Sequence, residues 1–124
     1  MASPVSMNVL PHNEDAEKAV LGAVLFNDKL ISEIDFLHPD DFYRTGHQVL
    51  FAAILEFLQD TSGLTLDLLT IGQYLTSKDK LGEVGGYAYV SSLITDVPTT
   101  INIAYYAHIV RDMALRRRLL EFSA

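Results

Sequence analysis

The sequence predicts an all-α domain, a compact bundle of about six helices. Apolar residues recur at helical spacing in most segments, and no clear alternation of polar and apolar residues predicts a strand. The 124 residues are 49% hydrophobic, which is enough to form the core of one domain. Short connectors separate the helical segments, as is typical of helix bundles.

The first two predicted helices lie between residues 13 and 34. Pro11 and Asn13 begin the first, and acidic residues in its first turn interact favourably with the positive end of the helix dipole. Its apolar face is rich in small side chains, which lets a neighbouring helix approach closely; the face consists of Ala16, Ala19, Val20, Ala23 and Val24. Asn27 or Asp28 is expected to cap a short second helix that ends near Ile34.

A connector and two further helices occupy residues 38 to 77. In the connector HPDDFYRTGH, we interpret Asp40 and Asp41 as turn and capping residues rather than catalytic acids. The apolar spacing predicts a third helix over about 45–59 and a fourth helix that begins after a cap at Asp67.

Two adjacent glycines precede the predicted fifth helix in EVGGYAYVSSL (83–93). A phosphate-binding loop needs a strand before it and a Lys-Ser or Lys-Thr pair after it, and Gly85 and Gly86 have neither. We interpret them as a sharp turn into the helix. The four histidines show no metal-ligand spacing, cysteine is absent, and no nucleophile has an evident general base. The sequence therefore predicts no catalytic, cofactor or metal site in this chain.

The last predicted helix is apolar on two sides. We expect Thr99 or Thr100 to cap it and the helix to run from about residue 100 to the end. One side carries Met113 and Leu120, and another carries Leu115, Leu119 and Phe122. A surface helix needs only one apolar side. Two alternatives follow: a core helix covered on both sides or, as the favoured one, part of a helical hairpin or subunit interface.

The net charge of −7 is unevenly distributed. Residues 1–67 hold eleven acidic side chains against three basic ones, whereas residues 111–124 carry a net +2. Because cations that neutralise phosphates supply most nucleic-acid affinity, an acidic domain is predicted to bind DNA poorly. From the residues alone, a helical protein-interaction adaptor remains possible, as does a weak DNA-binding module led by Arg111 and Arg116 to Arg118.

No segment is apolar for the roughly 20 residues that a membrane span requires. The opening MASPVSMNVL lacks the features of a secretory signal and is interpreted as a flexible tail over residues 1–10. We therefore expect a cytoplasmic protein.

Four segments occur in an order typical of one family: PHNEDAEKAVLGAVL (11–25), DDFYRTGHQVLFAAI (40–54), EVGGYAYVSSL (83–93) and VPTTINIAYYAHIVRD (97–112), followed by LRRRLL (115–120). Together they resemble the N-terminal domain of the bacterial replicative DNA helicase, the DnaB family, over residues 11 to 124. Phage and plasmid members of that family would look alike. The resemblance implies a six-membered ring that encircles single-stranded DNA and unwinds the duplex. ATP and Mg would bind in a RecA-like domain that these 124 residues do not contain.

The resemblance also implies how this domain is organised and what it contacts. Residues 11–99 would be the globular helical part, and residues 100–124 the first arm of a dimerisation hairpin. Hairpins pair into dimers, and three dimers form a collar that recruits the C-terminal helical domain of primase. The expected primase contacts are Asp15, where many members have Glu, Tyr89 and Leu120. The expected self-association residues are Met113, Leu115, Leu119, Leu120 and Phe122, and this chain alone is expected to form a weak dimer.

Overall fold

The computed structural model describes residues 9–61 and 63–123, and every regular element within them is helical. The elements are α1 (Glu14–Phe26), a 3₁₀ helix (Asp28–Ile34), a 3₁₀ turn (Pro39–Asp41), α2 (Thr45–Asp60), α3 (Leu68–Ser77), α4 (Tyr87–Asp96) and α5 (Ile103–Ser123). The predicted all-α bundle is confirmed, and the predicted second helix is a 3₁₀ helix. Of the predicted flexible tail, residues 1–8 lie outside the described range.

Side-chain caps begin several helices where the sequence predicts them. Asn13 Oδ1 accepts the N–H of Ala16 at 3.0 Å ahead of α1, and Asp67 Oδ1 accepts the N–H of Thr70 at 2.9 Å ahead of α3. Asn27 caps the 3₁₀ helix in the same way. Each cap gives a partner to an amide that the helix itself leaves unpaired.

The predicted cap of the last helix is wrong. Asn102, rather than Thr99 or Thr100, accepts the N–H of Tyr105 at 3.2 Å, and α5 begins at Ile103 instead of residue 100. Ile103 is buried in the core, so the helix starts where its first large apolar side chain meets the bundle.

Helix α1 lies at the centre of the bundle, against α2, α4 and α5. It approaches α4 closely at Gly22. A Cβ placed on Gly22 would lie 2.1 Å from the carbonyl oxygen of Leu93, so only glycine fits there. The small-residue face predicted for α1 therefore does admit a close neighbour, although the residue that decides the distance is this glycine.

The predicted apolar side that carries Met113 and Leu120 is not the buried side of the last helix. The buried stripe of α5 consists of Ile103, Ala107, Val110, Ala114 and Arg117, which includes two alanines and an arginine. Met113 is half-buried, whereas the large apolar side chains after it are exposed. The side predicted from Met113 and Leu120 is thus a flank of the helix, because the buried stripe uses small residues that a search for large apolar side chains overlooks. The predicted boundary between the globular part (residues 11–99) and the first hairpin arm (residues 100–124) stays a prediction. Among the described residues, no helix is long and apolar enough to cross a membrane.

Candidate partner-binding site

The glycine pair shapes the start of α4 and seats the ring of Tyr89. Gly86 precedes the helix with φ 87° and Gly85 has φ 107°, a conformation that favours glycine. A Cβ on Gly85 would lie 3.0 Å from the Tyr89 ring. The turn interpretation of the pair is confirmed, and the lack of a side chain at Gly85 also gives Tyr89 its place.

A buried hydrogen-bond network lies beneath Tyr89. His47, in the first turn of α2, places its Nδ1 2.7 Å from Glu17 Oε1 and its Nε2 2.6 Å from the Tyr89 hydroxyl. The imidazole and phenol rings are nearly parallel, with centroids 5.9 Å apart. Glu17 and His47 are both buried, and Tyr89 is half-buried. The Glu17–His47–Tyr89 network therefore joins α1, α2 and α4.

The remaining partners of Glu17 determine the direction of these hydrogen bonds. Glu17 Oε2 accepts the N–H of Tyr43 at 2.7 Å, and Oε1 accepts that of Arg44 at 3.4 Å. Both carboxylate oxygens act as acceptors, so His47 Nδ1 is the donor to Glu17. In the neutral imidazole, Nε2 is then an acceptor, and the hydroxyl of Tyr89 donates to it.

The surroundings of Tyr89 make its phenol harder to ionise. Burial raises the pKa of Tyr89, the positive charge of Arg44 opposes this, and the negative charges of Glu14 and Glu17 raise the pKa further. Arg44 forms an ion pair with Glu14 at the edge of the site. The phenol therefore stays protonated through neutral pH.

Asp15, the first predicted primase contact, is an exposed residue of α1 on the side that faces α4. It lines a groove of about 300 Å³ between α1 and α4, together with Lys18, Ser92 and Asp96. Ser92 is one helical turn beyond Tyr89, so this groove begins one turn of α4 away from Tyr89, which lines a separate cavity with Arg44, His47 and Glu83. The third predicted contact, Leu120, lies on α5 instead.

The C-terminal end of α5 presents exposed apolar side chains. The exposed fractions are 44% for Leu115, 68% for Leu119, 50% for Leu120 and 91% for Phe122. Leu115, Leu119 and Phe122 fall within about 60° of one another at 100° per residue, on a side of the helix roughly 125° from the centre of the buried stripe. We call these three residues the outer apolar face.

Three of the four arginines in this region bind within the bundle. Arg111 and Arg118 contact Asp41 Oδ1 at 3.0 and 2.9 Å, and Asp41 is fully buried. Arg117 donates to the carbonyl oxygens of Asp41 and Pro11. Arg116 forms an ion pair with Asp112 on the surface. The cluster thus fastens α5 to the connector, and Asp41 also accepts the N–H of His38, as its predicted capping role requires.

Sequence reasoning missed Glu17 and His47. By sequence position, Glu17 is one of the acidic residues of the first helical turn, and His47 has no metal-ligand spacing, so neither pattern indicates a buried pair. One signal was available: Glu17 precedes Leu21 and Val24 by four and seven residues, and His47 stands in the same relation to Phe51 and Ile54. A polar side chain within an apolar stripe must find a buried partner. No group of acidic, histidine or cysteine side chains in the described residues could hold a metal ion.

Comparisons with known proteins agree on one family. The model of the DnaB-like helicase N-terminal domain matches residues 9–112. The chain is 46% identical to the replicative DNA helicase DnaB of Treponema pallidum over 114 residues, which are 91% of this chain and 26% of that protein. It is 39% identical to DnaB of Geobacillus stearothermophilus over 122 residues, 98% of this chain and 26% of that protein. The chain therefore spans about a quarter of the length of these relatives.

Solved structures show the same similarity. The N-terminal domain of the DnaB helicase from Mycobacterium tuberculosis has a TM-score of 0.84 and 38% identity, covering 91% of this chain and 80% of that one. A DnaB-like replicative helicase, described with its interactions with primase, has a TM-score of 0.76 and 27% identity, covering 90% of this chain and 26% of that one.

Proposed function

The chain belongs to the DnaB-like helicase N-terminal domain family, and we propose that it serves as the collar domain of a replicative ring helicase. Its roles would be to associate with other subunits and to recruit primase. Unwinding of DNA, with ATP and Mg as cofactors and most of the contact with single-stranded DNA, would belong to a RecA-like domain outside these 124 residues. This chain alone is then expected to hydrolyse no ATP, and hydrolysis that survives repurification would contradict that expectation.

The outer apolar face of α5 is the observation that carries the proposal. Leu119 and Phe122 follow Arg117, the last buried residue of the helix, and Leu115 lies on the same exposed side of α5. Exposed apolar side chains that cluster in this way are typical of protein interfaces. In the proposed collar, this end of α5 belongs to the hairpin that pairs two subunits.

The expected dimer of this chain alone is weak. Burying a Leu or Phe side chain contributes roughly 1.5–3 kcal/mol, and losing rigid-body freedom opposes association by about 4–15 kcal/mol. A few partly exposed side chains therefore only balance that cost. A longer version of the protein that includes the second hairpin arm should dimerise more tightly.

Sedimentation equilibrium over a concentration series tests self-association. Leu119→Asp should shift the equilibrium to monomer while the helical content by circular dichroism stays unchanged. Leu69→Asp is the matched control, since Leu69 is an exposed leucine on α3, outside α5, and its replacement should leave the dimer intact. If the unsubstituted chain and the longer version are both strict monomers at high concentration, the collar role of α5 is wrong.

The primase contact has its own test. The related helicase described with primase supports a primase partner, and we propose that Asp15, Tyr89 and Leu120 contact it. Titration calorimetry with the C-terminal helical domain of a primase from the same source should show weaker binding for Asp15→Lys and for Tyr89→Ala. Asp35→Lys, at an exposed position beyond the 3₁₀ helix, is the control for the change in net charge. Equal affinities for all of these variants would exclude the contact.

A further inference from the structure

We propose that the buried Glu17–His47 pair turns the hydroxyl hydrogen of Tyr89 inward, so that the phenol meets its partner as a hydrogen-bond acceptor and selects an N–H donor. The inference rests on the proposed function, in which Tyr89 contacts the partner. It adds two positioning residues, Glu17 and His47, and the chemical type of the partner group.

The hydroxyl hydrogen of Tyr89 has a fixed acceptor in His47. The Tyr89 hydroxyl lies 2.6 Å from His47 Nε2, and Glu17 holds the opposite nitrogen as a donor at 2.7 Å. A hydroxyl carries one hydrogen and two lone pairs. With its hydrogen directed to His47, Tyr89 offers only lone pairs to the solvent side.

The imidazole of His47 cannot easily turn to release the hydroxyl of Tyr89. His47 is buried, and its ring lies nearly parallel to that of Tyr89. The ring of Phe42 meets the imidazole edge-on, with 6.5 Å between the ring centroids. Both ring nitrogens have partners, so a ring flip would break two hydrogen bonds at once. The network is therefore preorganised before any partner arrives.

The charged side chains around the phenol of Tyr89 are mostly acidic. Glu83 and Arg44 line the cavity of about 160 Å³ that His47 and Tyr89 share, and Arg44 is paired with Glu14. The groove between α1 and α4 adds Asp15 and Asp96 against Lys18, so negative charges outnumber positive ones on this side of the domain. A cationic N–H donor, from arginine or lysine, fits both the lone pairs of the phenol and this charge.

The direction of the hydrogen can be measured without a partner. Long-range ¹⁵N–¹H correlation spectra of the chain should show His47 protonated at Nδ1 and unprotonated at Nε2, and a slowly exchanging hydroxyl hydrogen on Tyr89. A His47 protonated at Nε2, whether alone or together with Nδ1, would overturn the inference, because that nitrogen would then donate to the phenol.

Binding measurements separate this inference from the primase contact itself. The probe is the C-terminal helical domain of a primase from the same source. Tyr89→Phe removes one hydrogen bond and should weaken binding about 3- to 10-fold. His47→Phe frees the phenol hydrogen and should cause a similar loss, with no further loss when both substitutions are combined. His47→Gln, whose amide can donate to Glu17 and accept from Tyr89, should restore part of the affinity.

Each outcome has one meaning. If Tyr89→Ala weakens binding but Tyr89→Phe and His47→Phe do not, the contact exists and the acceptor role is wrong. If Tyr89→Ala has no effect, the proposed contact itself fails. If His47→Phe unfolds the chain, Tyr89→Phe together with the tautomer of His47 decides the matter.

Discussion

Asp41 is the residue on which the attachment of α5 depends. It is fully buried, caps the preceding turn, and binds Arg111 and Arg118, whose side chains reach the solvent. Asp41→Asn keeps the size and removes the charge, so the free energy of unfolding should fall by about 1.5–3 kcal/mol, the range for hydrogen bonds to charged groups. Asp40→Asn, its exposed neighbour, should change that free energy by less than about 0.5 kcal/mol. Urea unfolding measures the change in the free energy of unfolding for both variants, and equal changes would contradict the role of Asp41 in attaching α5.

Tyr89 gives the protein a predicted sensitivity to alkaline pH. Its pKa in the folded chain is raised above the ordinary 10.0, mainly by burial. The folded state therefore holds this proton more tightly, so the stabilisation is complete below about pH 10 and is lost as the pH rises through the raised pKa. Tyr89→Phe should make the loss of stability between pH 9 and pH 11, about the region of tyrosine titration, less steep. Thermal melts across that range test this, with Tyr105→Phe as an exposed control. A profile unchanged by Tyr89→Phe would refute it.

At the same scale, the sequence predicts individual residues unevenly. Asn13 and Asp67 cap helices as predicted, because capping depends on residues only three positions away. The Glu17–His47 pair joins residues 30 apart, and nothing local identifies the partner. The apolar stripes around each residue could have shown that both are buried. Only the packing of α1 against α2 shows that they meet.

Among the helices, α1 and α4 pack in close contact at Gly22. A Cβ on Gly22 would lie 2.1 Å from a backbone oxygen of α4, which cannot move as a side chain can. Gly22→Ala should gain about 1 kcal/mol of helix propensity and still destabilise the fold by about 1–3 kcal/mol or more through overpacking.

A matched glycine makes the Gly22 test sharp. Gly82 has open space around its Cβ position and no left-handed backbone, so Gly82→Ala should change the free energy of unfolding by less than about 0.5 kcal/mol. Urea titrations of the two variants side by side give the comparison. A Gly22→Ala protein as stable as the unsubstituted chain would mean that the helices separate at little cost.

The helices themselves were predictable because each has a periodic apolar face, and the start of α5 was not. Thr99, Thr100 and Asn102 are all good capping residues, and local preference does not choose among them. The choice comes from the core, which requires Ile103 in the first turn. The buried stripe of α5 was not predictable either, because the bundle accepts the small residues Ala107 and Ala114 there.

Across the whole molecule, the family followed from the order of four short segments and the LRRRLL after them, although no single segment identifies it. Composition and helical periodicity alone led only to an acidic helical bundle. The partner surfaces remain proposals, since exposure identifies a surface without identifying what binds there. The outer apolar face and the Tyr89 site lie on different helices, which allows one domain to associate with itself and with a second protein.

The charge of the whole molecule leads to the last prediction, weak or no binding of single-stranded DNA by this chain. The net charge is −7, and the arginines of α5 already have partners: Arg111 and Arg118 at Asp41, Arg117 at backbone carbonyls and Arg116 at Asp112. Neutralising phosphates would require these cations to leave acceptors within the fold, and few phosphates could be neutralised at all. Fluorescence anisotropy with a labelled oligonucleotide at about 0.15 M salt should therefore show no submicromolar binding.

Asp41→Asn, which releases Arg111 and Arg118, should raise the affinity measured at low salt, whereas Asp40→Asn, with the same change in net charge, should raise it less. Submicromolar binding by the unsubstituted chain at physiological salt would contradict this prediction.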